Sequence, residues 1–151
     1  FMIVGDGFLR HQLEQLVKGF GLESKVIFTG SVQHSEIPEY IAAADVCVAP
    51  FKDTEVSRSK SPLKIVEYMA MEKPIIASNV GEVRRMVGGI GLLVGEGSEK
   101  ELSNAILKVL NNRNLRQGMM MGGRRRIQTK YNWRNTSENI LKAYEVALRD
   151  N

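Results

Sequence analysis

Short apolar segments alternate with amphipathic segments along this chain, and this alternation is the feature that most constrains its fold. Strands are predicted at Phe1–Val4, Val26–Thr29, Val46–Ala49, Pro74–Ser78 and Ile90–Val94. Between them, apolar residues recur at the spacing of one helical face. Largely apolar strands separated by helices indicate a parallel sheet that is covered on both faces. The sequence therefore predicts an α/β fold with a Rossmann-like, doubly wound parallel sheet.

Helices are predicted around residues 8–20, 35–44, 62–71, 82–87, 99–110, 115–128 and 133–150. Two of them have recognisable start signals, with Ser35 and Ser61 as capping residues and Pro62 as a first helical residue. Residues 51–60 are predicted to form a polar loop. We expect residues 1–151 to form one domain that ends in the 133–150 helix. Because the chain begins inside an apolar strand, we also expect it to be a fragment of a longer protein.

Basic residues, which give the chain a net charge of +4, are concentrated in one stretch. No acidic residue lies between Glu101 and Glu138, and that interval contains Lys108, Arg113, Arg116, Arg124, Arg125, Arg126, Lys130 and Arg134. Such a block could face nucleic acid, an anionic membrane or an acidic partner. A solvated helix face is the simpler interpretation, and the block lacks the interleaved aromatic residues of a single-stranded nucleic-acid platform. We therefore expect no nucleic-acid partner.

Cysteine and histidine are too scarce for several kinds of chemistry. Cys47, His11 and His34 cannot build a four-ligand structural zinc site, and a single cysteine cannot form an internal disulfide. Neither histidine has an evident serine or cysteine partner for nucleophilic catalysis. Cys47 lies in a predicted buried strand, where a thiol is inert. No apolar run reaches the roughly 18 residues of a membrane-spanning helix. We expect no metal ion and no cofactor.

The turn after the first predicted strand contains a glycine pair that invites a dinucleotide-binding interpretation. Gly5 and Gly7 fit the start of the G-x-G-x-x-G pattern, but Arg10 stands where the third glycine should be. The second strand also ends at Thr29 without the acidic residue that binds a ribose in NAD enzymes. A tight strand-to-helix turn is the simpler interpretation, although Asp6 could still reach a ligand hydroxyl. An NAD-dependent enzyme is therefore disfavoured.

The segment from Ser61 to Glu67 contains the sharper candidate site. If Ser61 caps the helix, Lys64 lies in the first turn, where a cation opposes the helix dipole at a cost of up to about 1 kcal/mol. A bound anion would offset that conflict, since free N–H groups and an ammonium would converge on it. Glu67, three residues on, could accept hydrogen bonds from a ribose diol. The alternative, an ordinary helical pair of Lys64 and Glu67 worth about 0.2–0.5 kcal/mol, is equally open.

Several runs, taken in order, resemble the C-terminal domain of family 4 glycosyltransferases. They are MIVGDG at residues 2–7, VIFTG at 26–30, ADVCVAP at 44–50, EYMAMEKPIIAS at 67–78, GLLV at 91–94 and YNW at 131–133. The resemblance spans nearly the whole chain. It implies the C-terminal half of a GT-B fold, in which two Rossmann-like domains enclose the active site.

The family transfers a sugar from a nucleotide-sugar donor with retention at the anomeric carbon and without a catalytic metal. The resemblance therefore implies a hexosyltransferase when the protein is full length, and an inactive fragment when this part is alone. The implied partners are a nucleotide sugar, an acceptor glycan, lipid or small molecule, and an N-terminal domain of the same chain. The implied location is the cytoplasm, with peripheral contact to the inner face of a membrane if the acceptor is a lipid.

Roles for particular residues also follow from the resemblance. Glu67 matches the second glutamate of the family's E-x7-E motif and would bind the ribose. The segment from Ser61 to Lys64, including Leu63, would lie at the diphosphate, and Thr29, Gly30 and Ser31 would border the nucleobase. The full set of predicted substrate-binding residues is Gly5, Asp6, Thr29, Gly30, Ser31, Ser59, Ser61, Leu63, Lys64 and Glu67. No catalytic residue is assigned.

Two departures from the family pattern bear on activity. Ser59 stands where the first glutamate of the E-x7-E motif, which contacts the donor sugar, should be. Glu55 and Asp53 are the candidates to take its place. The family's first strand, with a Gly-Arg turn and a lysine that grip the diphosphate, is absent before Phe1. A degenerate, non-catalytic binding or scaffold module is therefore the alternative function.

The absent strand has a consequence for the sheet. In the strand order 3-2-1-4-5-6, it would lie between Phe1–Val4 and Val46–Ala49 and leave each of them with an unpaired edge. The parent chain could supply a strand, a neighbouring molecule could donate one, or the two edges could pair directly. Direct pairing is the outcome available to a folded monomer of these residues alone. Two open edges would count against the strand assignments themselves.

Overall fold

A computed structural model describes residues 1–149 and divides the chain into two compact units. The first unit is Phe1–Tyr40, and the second begins at Ile41. The expectation that residues 1–151 form one domain stays a prediction. Residue 150, the last of the predicted C-terminal helix, lies outside the described residues.

The first unit contains a two-stranded parallel sheet and the helix that connects its strands. Strand β1 (Met2–Ile3) pairs with β2 (Ile27–Phe28), with Met2 opposite Ile27. Helix α1 spans Arg10–Gly19. Gly21, which follows its cap, has φ +65°, the left-handed conformation that glycine supplies at helix ends.

The next helical segment starts differently from the prediction. A short 3-10 helix at His34–Glu36 leads into helix α2 at Ile37–Ala43, and Gln33, not Ser35, occupies the capping position. The Glu36 carboxylate accepts the backbone N–H of Gln33 at 2.9 Å, which forms a reciprocal capping box. Because glutamine and glutamate already satisfy this terminus, the hydroxyl of Ser35 is not needed there.

The second unit contains a three-stranded parallel sheet and most of the helices. Strands β3 (Cys47–Ala49), β4 (Ile75–Ser78) and β5 (Leu92–Val94) lie in the order β3-β4-β5. The helices are α3 (Glu55–Ser59), α4 (Leu63–Ala70), α5 (Val83–Val87), α6 (Glu99–Leu110), α7 (Arg113–Thr129) and α8 (Trp133–Arg149). This alternation confirms the predicted α/β class with parallel sheets.

The central strand β4 supplies apolar side chains to two separate core clusters. Ile75 and Ala77 pack with residues of α4 and α5, whereas Ile76 packs with residues of α6 and α7. Successive residues of a strand point to opposite faces, so each cluster occupies one face of the sheet. The three-stranded sheet is thus covered on both faces, as a doubly wound fold requires.

Of the three outcomes considered for the two strand edges, direct pairing is not found among the ladders of the described residues. In the described residues, β1 pairs with β2 and β3 pairs with β4, and no ladder joins β1 to β3. All five predicted strands nevertheless form, so the strand assignments hold. Met2 and Ile3 are 37% and 40% exposed, so water can satisfy edge groups that would be costly to bury.

The interpretation of the basic block as a solvated helix face is wrong for the half-buried Arg116 and Arg126, and the exposed Arg124 also makes a contact to another helix. Arg116 donates to the carbonyls of Val109 and Leu110 at the end of α6, and Arg124 donates to Ala70 at the end of α4. Arg126 donates to carbonyls at the end of α5. The last carbonyls of a helix lack partners within it, so these arginines satisfy them and complement the helix dipoles.

Candidate functional site

The start of α4 is the centre of the predicted site in the second unit, and it begins one residue later than expected. Pro62 has an extended ψ of 118° and is the N-cap, so the helix begins at Leu63. The prediction that Ser61 caps the helix is wrong, because its hydroxyl points instead to the sulfur of Met86 at 3.9 Å. No side chain in the described part of the chain caps this terminus. Its first N–H groups are therefore available to a ligand.

Lys64 lies in the first turn of α4, as predicted, and its side chain is exposed. Its Nζ lies 5.4 Å from the centroid of the Phe51 ring. Within residues 1–149, no carboxylate lies within ion-pair distance of Lys64. The alternative of a Lys64–Glu67 helical pair is therefore not what the structure contains, and the positive charge is uncompensated.

Glu67 follows one turn later on α4 and is half-buried. Across the described part of the chain, its carboxylate has no hydrogen-bond or ion-pair partner within contact distance. A carboxylate offers about four acceptor positions, so Glu67 can accept from a pair of hydroxyls. Among residues 1–149, the ammonium of Lys64 and the carboxylate of Glu67 thus have no charged partner, and both can contact a ligand.

The predicted polar loop at residues 51–60 contains helix α3, which sequence reasoning missed. The Thr54 hydroxyl accepts the N–H of Ser57 at 3.1 Å and caps the helix. The Arg58 guanidinium donates to both oxygens of Asp53, at 2.7 and 3.0 Å. Thr54 followed by Glu55 in the first turn is the sequence signal that could have indicated this helix.

Helix α3 carries Ser59, the residue that replaces the first glutamate of the family motif. The Ser59 hydroxyl donates to the carbonyl of Val56 at 3.1 Å, so it closes the last turn of its own helix. Asp53 is occupied by Arg58, whose guanidinium lowers the pKa of that carboxyl. Glu55 is exposed at the start of the helix. Of the two candidates to replace the missing carboxylate, Glu55 is the one that Arg58 does not occupy.

Gly81 positions α3 against the loop that follows β4. It has φ +43°, and a Cβ at this residue would lie 2.7 Å from Cα of Arg58 and 3.1 Å from the backbone oxygen of Ser57. Such contacts are with backbone, which cannot move aside as a flexible side chain can. The chain therefore requires glycine here, because α3 lies directly on this turn.

The first unit brings its own predicted residues together at the carboxyl ends of β1 and β2. The N–H of Gly5 donates to the carbonyl of Gly30 at 3.1 Å and lies 3.3 Å from the Thr29 hydroxyl oxygen. The Thr29 hydroxyl in turn donates to the Gly30 carbonyl at 2.9 Å. Ser31 follows directly and is exposed. These residues form one loop cluster, as expected for the ligand edge of a parallel sheet.

Asp6 lies in the same cluster and is held by two hydrogen bonds. Its carboxylate accepts the N–H of Gly7 at 2.7 Å and an N–H of Arg10 at 3.0 Å, and these bonds lower its pKa. Arg10 also donates to Glu14 at 2.8 Å. In the sequence, Arg10 was notable only because it replaces the third glycine of the G-x-G-x-x-G pattern. In the structure, its hydrogen bond to Asp6 orders the Gly5–Gly7 turn.

Replacing Gly30 by alanine is expected to lower the free energy of unfolding by about 1 kcal/mol, because Gly30 has φ +70°. A Cβ there would also lie 2.8 Å from a terminal nitrogen of Arg10, a flexible group that can shift. Denaturant unfolding of the full-length protein measures the change. Gly19→Ala is the control, since Gly19 ends α1 with open space around it. A loss for Gly19→Ala as large as for Gly30→Ala would contradict the argument.

The remaining candidates for reactive chemistry are inert or exposed. Burial raises the pKa of the Cys47 thiol to about 11, with Lys73 opposing the shift, so the thiol stays protonated at neutral pH. His11 and His34 are exposed on the surface. Within residues 1–149, no group of three histidine, cysteine, aspartate or glutamate side chains is placed to hold a metal ion. No helix among those residues is long and apolar enough to cross a membrane.

The predicted substrate-binding residues thus fall into two groups, one in each unit. Gly5, Asp6, Thr29, Gly30 and Ser31 lie in the first unit, and Ser59, Ser61, Leu63, Lys64 and Glu67 lie in the second. The first group follows strands β1 and β2, and the second group lies on and between helices α3 and α4, which follow strand β3. A Rossmann-like domain with uncompensated polar groups at such positions belongs to the class of nucleotide-binding α/β domains.

Comparison with known proteins gives the family. The family model of group 1 glycosyl transferases matches residues 1–112. An alpha-D-kanosaminyltransferase of Streptomyces kanamyceticus is 28% identical in an alignment 151 residues long. The alignment covers 98% of this chain and 38% of the relative. The chain belongs to the group 1 family of glycosyltransferases, and it spans about two fifths of the length of the first curated relatives it matches.

Solved structures agree with this assignment. Sucrose-phosphate synthase from Thermosynechococcus elongatus matches with a TM-score of 0.85 and 29% identity over 99% of this chain and 39% of that chain. The C-terminal domain of a group 1 glycosyltransferase, LpcC, from Francisella tularensis matches with a TM-score of 0.67 and 26% identity over 83% of this chain and 63% of that chain. The predicted fold, the C-terminal half of a GT-B enzyme, is confirmed.

A third solved structure was determined with a ligand. HepE of Anabaena, in complex with UDP-glucose, matches with a TM-score of 0.78 and 24% identity over 96% of this chain and 40% of that chain. At this identity the likeness concerns the fold.

Proposed function

We propose that this domain binds the nucleotide-diphosphate-sugar donor of a retaining, metal-independent hexosyltransferase, and that the full-length protein transfers the sugar to an acceptor. The observation that carries the proposal is the uncompensated ammonium of Lys64 in the first turn of α4. We further propose that the enzyme works in the cytoplasm, with peripheral membrane contact if the acceptor is a lipid.

The start of α4 has the electrostatics of an anion site. Its uncapped N–H groups carry the positive end of the helix dipole, and Lys64 adds a full positive charge at the same end. Without an anion these charges repel one another. A diphosphate would relieve the repulsion and accept hydrogen bonds from the N–H groups and the ammonium, with Ser61 and Leu63 beside it.

Glu67 supplies the complementary group for a ribose. Its unpaired carboxylate lies one turn behind Lys64, so a diphosphate at the helix start would bring an attached ribose toward it. The roles of Thr29, Gly30 and Ser31 at the nucleobase, of Gly5 and Asp6 near them, and of Ser59 at the donor sugar stay predictions from the family resemblance. The match to the family model of group 1 glycosyl transferases supports a donor of this class.

The proposal is tested by isothermal titration calorimetry of the full-length protein with UDP-, GDP- and ADP-sugars. We expect saturable binding of one of the three, competed by the matching nucleoside diphosphate. Binding should weaken as salt concentration rises, because an exposed lysine contributes through its charge. A full-length protein that binds none of the three would refute the proposal.

A degenerate binding or scaffold module is the second candidate, and one observation favours it. Ser59 replaces the motif's first carboxylate, and its hydroxyl is used within α3. Such a module would show no saturable binding of nucleoside diphosphates. A full-length protein that binds the donor but transfers sugar to no acceptor would support the donor site and contradict the transfer activity.

Replacing Glu67 by alanine is expected to weaken donor binding by about 1 kcal/mol, or roughly fivefold, because a ribose diol would lose its acceptor. Calorimetry with the bound nucleotide sugar measures the change. Glu67→Gln is the matched variant, since it keeps one acceptor oxygen and should lose less. Glu67 is proposed to contact ribose, not the reacting carbon, so mass spectrometry that detects a glycosyl adduct on Glu67 would contradict this role.

A further inference from the structure

Phe51 is fixed in place at the end of β3 by two sets of contacts. Its backbone N–H donates to the hydroxyl oxygen of Ser78 at 2.9 Å, and Ser78 is only 3% exposed. Its half-buried ring packs against the core cluster that contains Ala49 and Ile65. The ring is therefore held both through its backbone and through its side chain.

The outer face of this ring is occupied by the ammonium of Lys64. Nζ lies 5.4 Å from the ring centroid, within the range of a cation–π contact. A lysine side chain has many rotamers when exposed, and a fixed partner reduces that freedom. An aromatic ring does so without a negative charge, whereas a carboxylate would neutralise the ammonium.

We propose that Phe51 is a positioning residue that holds Lys64 at the start of α4 with its charge intact, ready to contact a diphosphate. This inference rests on the proposed function. It adds to the site a residue that charge and motif patterns do not reveal, because a phenylalanine beside a strand is ordinarily a core residue. The ring acts through Lys64 and is not itself proposed to touch the reacting atoms.

Substitutions of Phe51 in the full-length protein separate positioning from packing. Phe51→Leu keeps an apolar side chain but removes the π face, and we expect the nucleoside diphosphate to bind about two- to fivefold more weakly. Phe51→Tyr keeps the π face and should bind like the unaltered protein. In a Lys64→Ala background, Phe51→Leu should cause no further loss, because the cation is gone.

A second measurement reports the contact itself. In protein with labelled lysine, the ring current of Phe51 should shift the Lys64 ε-methylene protons upfield, and Phe51→Leu should abolish that shift. Equal affinity of Phe51→Leu and the unaltered protein would overturn the inference. So would an equal loss for Phe51→Leu with and without Lys64, which would indicate a packing effect alone.

The experiment also distinguishes the inference from the function on which it rests. If UDP, GDP and ADP all fail to bind the unaltered protein while the upfield shift is present, the proposed function fails and this role for Phe51 fails with it. If a diphosphate binds and Lys64→Ala abolishes binding, but Phe51→Leu has no effect, only the inference fails.

Discussion

Replacing Arg126 by methionine is expected to lower the free energy of unfolding by about 2–3 kcal/mol. Its guanidinium donates to the carbonyls of Met86 and Gly88, both at 2.9 Å, and more weakly to Arg85 at 3.4 Å. Met86 is fully buried. Because water has little access there, loss of the guanidinium would leave its carbonyl without a partner.

Methionine is chosen because it keeps an apolar stem of similar length, so the change reports on the lost hydrogen bonds more than on lost packing. Arg125→Met is the matched control. Arg125 lies beside Arg126 on α7, but its side chain is exposed. Denaturant unfolding of the full-length protein should show a change within about 0.5 kcal/mol for Arg125→Met. Equal losses for the two variants would show that Arg126 does not stabilise the end of α5.

The strands and their direction could be predicted from the sequence because hydrophobic burial repeats along the chain. Cys47–Ala49, Ile75–Ser78 and Leu92–Val94 lie inside predicted segments, and each strand begins one or two residues later than predicted and ends at the predicted residue. An apolar run indicates that a segment is buried, whereas its ends depend on which backbone groups find partners. The pairing of strand edges was therefore the part that the pattern could not decide.

Helix starts were less predictable, because a hydroxyl near a helix has more than one possible partner. Ser61 and Ser35 both fit the capping pattern, yet the hydroxyl of Ser61 points to Met86 and Gln33 occupies the position expected for Ser35. Met86 is 25 residues from Ser61 in the chain. Local spacing contains no information about a contact of that range.

The charge of the basic block illustrates the same limit. Composition showed where the cations lie but not which carbonyls they meet. Arg124 reaches Ala70, 54 residues earlier, and Arg126 reaches Met86, 40 residues earlier. These contacts exist because α7 crosses the ends of other helices, and that crossing is a property of the tertiary packing.

The sequence predicted the charged residues of the candidate site but not the residues that support them. Lys64 and Glu67 attract notice because charges at a helix start have a definite electrostatic consequence. Phe51 and Arg10 support neighbouring groups through contacts across loops. A phenylalanine and an arginine fit many environments, so their roles become visible only with the coordinates.

Replacing Lys64 by alanine in the full-length protein is expected to weaken nucleoside-diphosphate binding by about 1.5–3 kcal/mol, or roughly 10- to 150-fold. The loss is large because a charge-assisted contact to phosphate disappears. Stability should change little or rise, since the ammonium lies at the positive end of the α4 dipole and has no carboxylate partner in the described residues. A gain in stability with a loss of binding is the combination that a ligand-binding lysine predicts.

Calorimetry with the nucleoside diphosphate and with the corresponding nucleoside separates the phosphate contact from the rest of the site. The Lys64→Ala variant should lose affinity for the diphosphate and retain whatever affinity the nucleoside has, and its salt dependence should be weaker. Lys108→Ala is the matched control, because Lys108 is an exposed lysine on α6. It removes the same charge from the protein without touching α4. If both variants weaken binding equally, net charge alone accounts for the effect; if neither does, the diphosphate does not bind at the start of α4.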